Sequence, residues 1–133
     1  MTLSYEWRGD FGDPEVAALH AGSFGPGGRD AWRERLERHA LGWVCARDDG
    51  ELVGFVVVAW DGGAHAFVLD TMVAPQARRQ GIGARLVACA TEQAEAAGCD
   101  WLHVDFEPHL RDFYLKAGGF APTDAGVRSL RAP

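Results

Sequence analysis

The spacing of apolar residues changes period several times along this chain, and each change predicts an element. Leu3 to Arg8 alternates apolar and polar residues, which predicts a first strand. Asp13-Pro14 then reads as a helix start, with Asp as N-cap and Pro in the first turn, where its missing N–H costs nothing. That helix should run to about Gly22 with Val16, Leu19 and Ala21 apolar. Gly25-Pro26-Gly27-Gly28 interrupts the chain, and Asp30 can cap a second helix whose Trp32, Leu36 and Ala40 recur at helical spacing.

From Gly42 the period becomes that of a strand. Gly42 to Arg47 and Glu51 to Trp60 flank Asp48-Asp49-Gly50, a hairpin signal, and Asp61-Gly62-Gly63 turns the chain into a strand from about Ala64 to Val73, ended by Pro75. Gly81 to Ala97 is helical, with Ile82, Leu86, Cys89, Ala90, Ala94 and Ala97 on one face and Gly98 as the stop. Trp101 to Glu107 alternates again: Leu102, Val104 and Phe106 on one side, Trp101, His103, Asp105 and Glu107 on the other. Pro108 opens a helix carrying Leu110, Phe113, Tyr114 and Ala117, stopped by Gly118-Gly119, and Val127 to Leu130 predicts a last strand. The order β-α-α-β-β-β-α-β-α-β, with no repeat or linker, predicts one α/β (α+β) domain over residues 1–133.

Composition narrows the class. Hydrophobic residues make up 47% and charged residues 24% of the 133, the balance of an ordinary globular protein. No apolar run approaches membrane-spanning length and the first residues lack a signal-peptide pattern, so a cytoplasmic protein with no membrane partner is expected. A net charge of −6 argues against nucleic acid as a partner. The 3 cysteines, Cys45, Cys89 and Cys99, have no CxxC spacing and the 5 histidines form no ligand cluster, so reduced thiols and no metal are expected. The basic residues are bunched, however. Arg78, Arg79 and Arg85 fall in a stretch, Thr71 through Thr91, that holds no acid, which suggests either an anionic ligand or a solvated face.

The chemistry concentrates in the segment from Val73 to Leu86. A strand ends at a proline, a basic glycine-containing loop follows, and a helix begins with no Ser, Thr, Asp or Asn to cap it. Uncapped amides at the positive end of a helix dipole suit an anion, and Gly81 and Gly83 let phosphate oxygens approach the backbone. The bland alternative is a tight turn with water on its amides. The loop has neither a P-loop pattern nor the third glycine of a dinucleotide fingerprint, which leaves plain nucleotide binding as a minor reading.

Val73-Ala-Pro followed by Arg78-Arg79-Gln80-Gly81-Ile82-Gly83 resembles the acetyl-CoA pyrophosphate loop of the GNAT superfamily, R/Q-x-x-G-x-G/A, behind that family's fourth strand. A second landmark agrees: Glu107 to Phe120, with Phe113-Tyr114 and Gly119-Phe120, resembles the family's N-x-x-A-x-x-F/L-Y-x-x-x-G-F signature. The resemblance covers essentially the whole chain. It implies a mixed, mostly antiparallel twisted sheet of six to seven strands flanked by about four helices, with acetyl-CoA as co-substrate and an amine as acceptor.

The resemblance also implies roles. The backbone of Thr71, Met72 and Val73 would hold the pantetheine arm. Arg78, Arg79, Gln80, Gly81, Ile82, Gly83 and Ala84 would hold the pyrophosphate, with Phe113 beside them. Tyr114 would hydrogen-bond or protonate the departing thiolate; the alternative is an amphipathic core tyrosine. An alkylammonium must lose its proton before it attacks, which costs about 4.6 kcal/mol at neutral pH. Among positions that relatives use for a base on the fourth strand, Phe67 and Leu69 cannot act, and Asp70 lies on the other face unless a bulge intervenes. Glu107, standing where many members carry Asn, or Asp105 is the expected base, directly or through a water; a solvated stripe or capping carboxylate is the alternative.

The acceptor site is expected between Asp10 and Ala40, Asp61 to Gly63, and the fifth-strand stripe. Its acids, Asp10, Asp13, Glu15 and Asp61, would suit a cationic amine. Direct attack in a ternary complex is the expected mechanism. An acyl-CoA sensor without turnover is the competing reading, and a homodimer stays open.

Overall fold

In the computed structural model, which describes residues 2–25 and 31–131, a sheet of five strands runs in the order β1-β2-β3-β4-β5. The strands are β1 (Leu3–Trp7), β2 (Ala40–Asp48), β3 (Glu51–Trp60), β4 (His65–Val73) and β5 (Trp101–His103). The first four are antiparallel neighbours, and β5 joins β4 in parallel. Helices α1 (Asp13–Phe24) and α2 (Trp32–His39) cover one face, and α3 (Ile82–Ala96) the other.

Each boundary has a local cause. Asp49 and Gly50 both have positive φ, the conformation of a two-residue turn whose twist matches its flanking strands, and Asp48 pairs with Glu51 across it. The central strands β2 and β3 are almost wholly buried because both faces are covered, which is why Phe55 to Trp60 reads as one continuous apolar run. Gly54 sits where β3 passes beneath α3: a Cβ there would lie 2.9 Å from Ile82 Cγ2 and 3.1 Å from Leu86 Cδ1.

Capping differs from the expectation by one residue and one partner. The N-cap of α1 is Gly12, whose N–H donates to Glu15 Oε2 at 2.9 Å. Asp13 is the first helical residue, and its Oδ1 accepts the Arg33 N–H at 2.9 Å, so it caps α2 instead. The cap expected of Asp30, and the break at Pro26 to Gly28, lie outside the described residues.

Three strand expectations fail. The sheet has five strands among the described residues, not six to seven. The segment Val127 to Leu130 pairs with nothing: Val127 is 80% and Leu130 92% exposed, and the isolated run gains no apolar burial to offset the entropy of ordering it. The fifth strand ends at His103 instead of Glu107, because beyond that residue the chain diverges from β4 and loses its hydrogen-bonding partner. The last expected helix is irregular, a 3-10 turn (Pro108–Leu110) that passes into a π-helical turn (Phe113–Ala117). No helix among the described residues is long and apolar enough to cross a membrane.

Candidate active site

The site grows from one irregularity in β4. Val57 of β3 pairs with Leu69 while Phe55 pairs with Met72, so two residues of β3 span three of β4. Asp70 and Thr71 therefore share the space opposite Val56, and Asp70 takes φ 52°, a left-handed conformation that aspartate tolerates better than most residues. Strict alternation would place Asp70 with buried Ala66 and Val68, facing α3. The bulge turns it to the α1–α2 side, where it lines a cavity with Val57 and Leu69.

That cavity measures about 640 Å3 and lies between α1, α2 and the sheet. Trp32, Arg35, Leu36 and His39 come from α2, His20 and Phe24 from α1, and Arg131 lies in the wall as well. Trp32 is buried against Phe55 and takes the Arg35 guanidinium over its ring at 4.3 Å. Burial pushes the Asp70 carboxyl above its ordinary value, against the opposing pull of His20 and Arg35.

On the edge of β4 the same region is open. Pairing with β5 covers only His65, Ala66 and Phe67, and from Val68 onward the two chains separate. Tyr114 stands across the gap. Its ring stacks on Phe106 at 5.2 Å, meets Phe113 and Phe120 edge-on, and its hydroxyl donates to Thr71 Oγ1 at 3.2 Å. The π-helical turn sets this position, since Gly118 N–H reaches the Phe113 carbonyl five residues back.

At the end of β4 the basic loop leads to the N-terminus of α3. Gly81 is the N-cap with φ 77°, no side chain caps the helix, and no acid stands in its first turn. Space beside Gly81 is open, whereas a Cβ at Gly83 would lie 3.3 Å from Phe113 Cζ, so that ring lies against the first turn. The first free amides of α3 thus face a position that suits a phosphate. Arg78 is folded back, with Nε donating to the Val73 carbonyl at 3.2 Å, while Arg79 and Gln80 are exposed. Arg85 leaves the patch altogether and places its guanidinium over Tyr5 at 5.8 Å. Thr71 and Val73 are half-buried on the open edge, and the Met72 and Ile82 side chains are buried in the core, so only their backbones are available. Ala84 is half-buried.

The structure brings Thr71 and Tyr114 together and leaves Asp105 and Glu107 exposed, outside the cavity lining. Asp70 is the acid that alternation placed on the wrong face; a β-bulge leaves no mark in a pattern of apolar residues. The acids expected around the acceptor are occupied elsewhere. Asp10 pairs with Arg33, Glu15 with Arg47, Asp13 caps α2, and Asp61 Oδ1 accepts the Gly63 and His65 amides of its own turn. No cysteine lines the cavity, and burial pushes the Cys45 thiol up to about 12, which keeps it from acting as a nucleophile near neutral pH. Among the described residues no group of three or more His, Cys, Asp or Glu could hold a metal.

A mixed sheet split at the β4–β5 junction, with an uncapped helix beyond the split, defines an α/β fold that can hold a phosphate-bearing ligand along one strand edge. The chain belongs to the acetyltransferase (GNAT) family, whose model matches residues 5–120. A probable glucosamine 6-phosphate N-acetyltransferase from Oryza sativa subsp. japonica is 40% identical over 57 residues, 43% of this chain and 34% of that protein, so the match spans about a third of the relative's length. Solved structures share the fold along its whole length. A GNAT-family acetyltransferase from Streptococcus pneumoniae superposes with TM-score 0.76 at 20% identity, covering 98% of this chain and 100% of the other. The acetyltransferase AAC(6′)-Iy, in complex with the bisubstrate analogue CoA-S-monomethyl-acetylneamine, gives TM-score 0.81 at 18% identity with 100% of each chain covered.

Proposed function

We propose that this chain is an acetyl-CoA-dependent N-acetyltransferase that transfers the acetyl group directly to a primary amine bound in the α1–α2 cavity. The carrying observation is that the cavity and the split meet at consecutive residues: Asp70 lines the first and Thr71 borders the second. An amine in the cavity and a thioester along the β4 edge would come together across one peptide unit.

In this reading the first-turn amides of α3, with Arg79 and Gln80 beside them, hold the pyrophosphate, and the backbone from Thr71 to Val73 holds the pantetheine arm. Asp70 accepts the proton of the ammonium, and its raised pKa brings it closer to the amine it must deprotonate. The nitrogen lone pair attacks the thioester carbonyl, a backbone amide of β4 stabilises the oxyanion, and the C–S bond breaks as the attacking nitrogen releases its remaining extra proton to water, giving the neutral amide and the CoA thiolate. Tyr114 donates a hydrogen bond to the leaving sulfur, exchanging Thr71 for it. A phenol holds its proton more tightly than a thiol, so hydrogen bonding suffices without full transfer. Asp70 takes precedence as base over Glu107 and Asp105 because it lines the cavity and they do not.

The test is calorimetric binding of acetyl-CoA, desulfo-CoA, ATP and NAD, followed by turnover on a panel of amines. Micromolar binding of the CoA compounds alone, with acetylation abolished in Asp70→Asn and retained in Glu107→Gln, supports the assignment. CoA binding with no turnover would favour a sensor. Absence of CoA binding would sink both readings.

A further inference from the structure

The walls of the cavity carry the opposite charge to the one that the surface acids suggest. Asp70 is its one carboxylate among the described residues, and Arg35, Arg131, His20 and His39 also line it. With both histidines neutral, two arginines still face a single aspartate. Neither Arg35 nor Arg131 forms an ion pair or a side-chain hydrogen bond among the described residues, although Arg33, Arg38 and Arg47 nearby all find carboxylates. Arg35 is also held in place. It is half-buried and stacked on the face of Trp32, a packing that leaves the in-plane N–H donors of a guanidinium free for a planar or tetrahedral anion.

A cation in a partly desolvated wall with no partner among the described residues is costly unless a ligand supplies the countercharge. Asp70 supplies some of it, since Arg35 and His20 both act on its carboxyl. Arg131 is exposed at the rim and screened by water, so the half-buried Arg35 is the cation that needs a countercharge, and in the proposed reaction Asp70 must instead face the incoming amine. Resting on the acetyltransferase reading, we infer that the acceptor is an amine that carries an anionic group, a carboxylate or a phosphate, bound by Arg35 with Arg131 at the rim. Its amine points toward Asp70 and the β4 bulge. Its body lies against Trp32, Leu36 and Phe24, which suits an aliphatic, aromatic or sugar framework. A polycationic acceptor would bring excess positive charge to a wall that is already positive.

Matched pairs differing only in the anion test this. With acetyl-CoA saturating, kcat/KM is compared for phenylalanine against phenylalaninamide and for glucosamine 6-phosphate against glucosamine, with neamine as a polycation. The anionic member of at least one pair should be preferred about tenfold or more, as a charge-assisted hydrogen bond implies. The pair that shows the preference distinguishes carboxylate from phosphate. Arg35→Met should reduce that ratio to within about threefold and Arg35→Lys should restore part of it, with acetyl-CoA affinity unmoved in both. Equal or greater rates for the neutral or polycationic amines, or a preference that survives Arg35→Met, would overturn the inference. A second measurement does not depend on turnover: inorganic phosphate or acetate should shift the Arg35 side-chain Nε–H resonance of the wild-type protein, and no shift with either anion overturns it equally. Failure of the acetyltransferase reading would appear separately, as absence of acetyl-CoA binding in calorimetry.

Discussion

The Tyr114 hydroxyl donates to Thr71 Oγ1 at 3.2 Å and so ties the π-helical turn to β4 beside its bulge. The contact bridges the opening where β4 and β5 separate, the position from which a thiolate would depart. Tyr114→Phe should therefore lower turnover by roughly 10²-fold while acetyl-CoA affinity changes by less than about threefold. Unchanged turnover would reduce Tyr114 to a packing residue of the Phe106–Phe113–Phe120 cluster.

Asp70 combines a left-handed backbone, a half-buried carboxyl and a place in the cavity. Its folded-state pKa lies above the ordinary 3.8, so the folded chain binds its proton more tightly than the unfolded one. Stability is then greatest below 3.8, falls as pH rises through the raised folded value, and carries the full cost above it. Asp70→Asn should accordingly raise the Tm at pH 7, lose that advantage at pH 3, and lower acetylation by about 10²-fold or more. In the wild type kcat/KM should fall on an acid limb whose midpoint exceeds that of a free aspartate. A less stable Asn variant would contradict the burial cost.

Glu15 shows the opposite linkage. Arg47 grips both its oxygens, at 2.9 and 3.0 Å, and the Gly12 N–H adds a third hydrogen bond, which lowers its pKa from 4.5 to about 2. The stabilisation is present above pH 4.5 and lost as pH falls through about 2. The Glu15 side chain is 39% exposed, so water screens much of the effect. Glu15→Gln should cost about 1 kcal/mol at pH 7, roughly 4 °C in Tm, and the gap should close near pH 2. Thermal melts of both proteins across pH 2–7 measure it.

Gly54 links core packing to the ligand site. Val at this position would drive its Cβ into Ile82 and Leu86, the buried face of α3, at a cost of about 1–3 kcal/mol. Because Ile82 begins the helix whose first amides would hold the pyrophosphate, the same change should weaken acetyl-CoA binding as well as lower the Tm. A destabilised variant with wild-type affinity would show that the first turn of α3 adapts independently of its packing.

Much of this was legible in the residues. The hairpin at Asp49-Gly50, the helix on Ile82, Leu86, Ala90 and Ala94, and the stop at Gly98 follow from local chemistry, in which turn residues, period and breakers act within a few positions of themselves. The Arg78–Gly83 loop and the Phe113-Tyr114 motif mark the two ends of the proposed site in the same way. The fifth strand stops short and the tail stays unpaired, because the alternation at Val104 to Glu107 and the apolar ends of Val127 to Leu130 record only what could pair, and a strand also needs a partner edge.

What the sequence by itself determined is most of the elements from β1 to α3 and their order, the helix N-terminus without a cap and the family. The tertiary structure alone decided which carboxylate faces the α1–α2 cavity and what charge surrounds it. A bulge of one residue in β4 reverses the face of Asp70, and it shows only in how β3 and β4 register against each other. The acids that composition offered to a cationic substrate find arginines, helix amides and turn amides once the chain folds, and Arg35 is left facing the cavity. Charges act through distance, and distances between elements exist only after packing has brought them together.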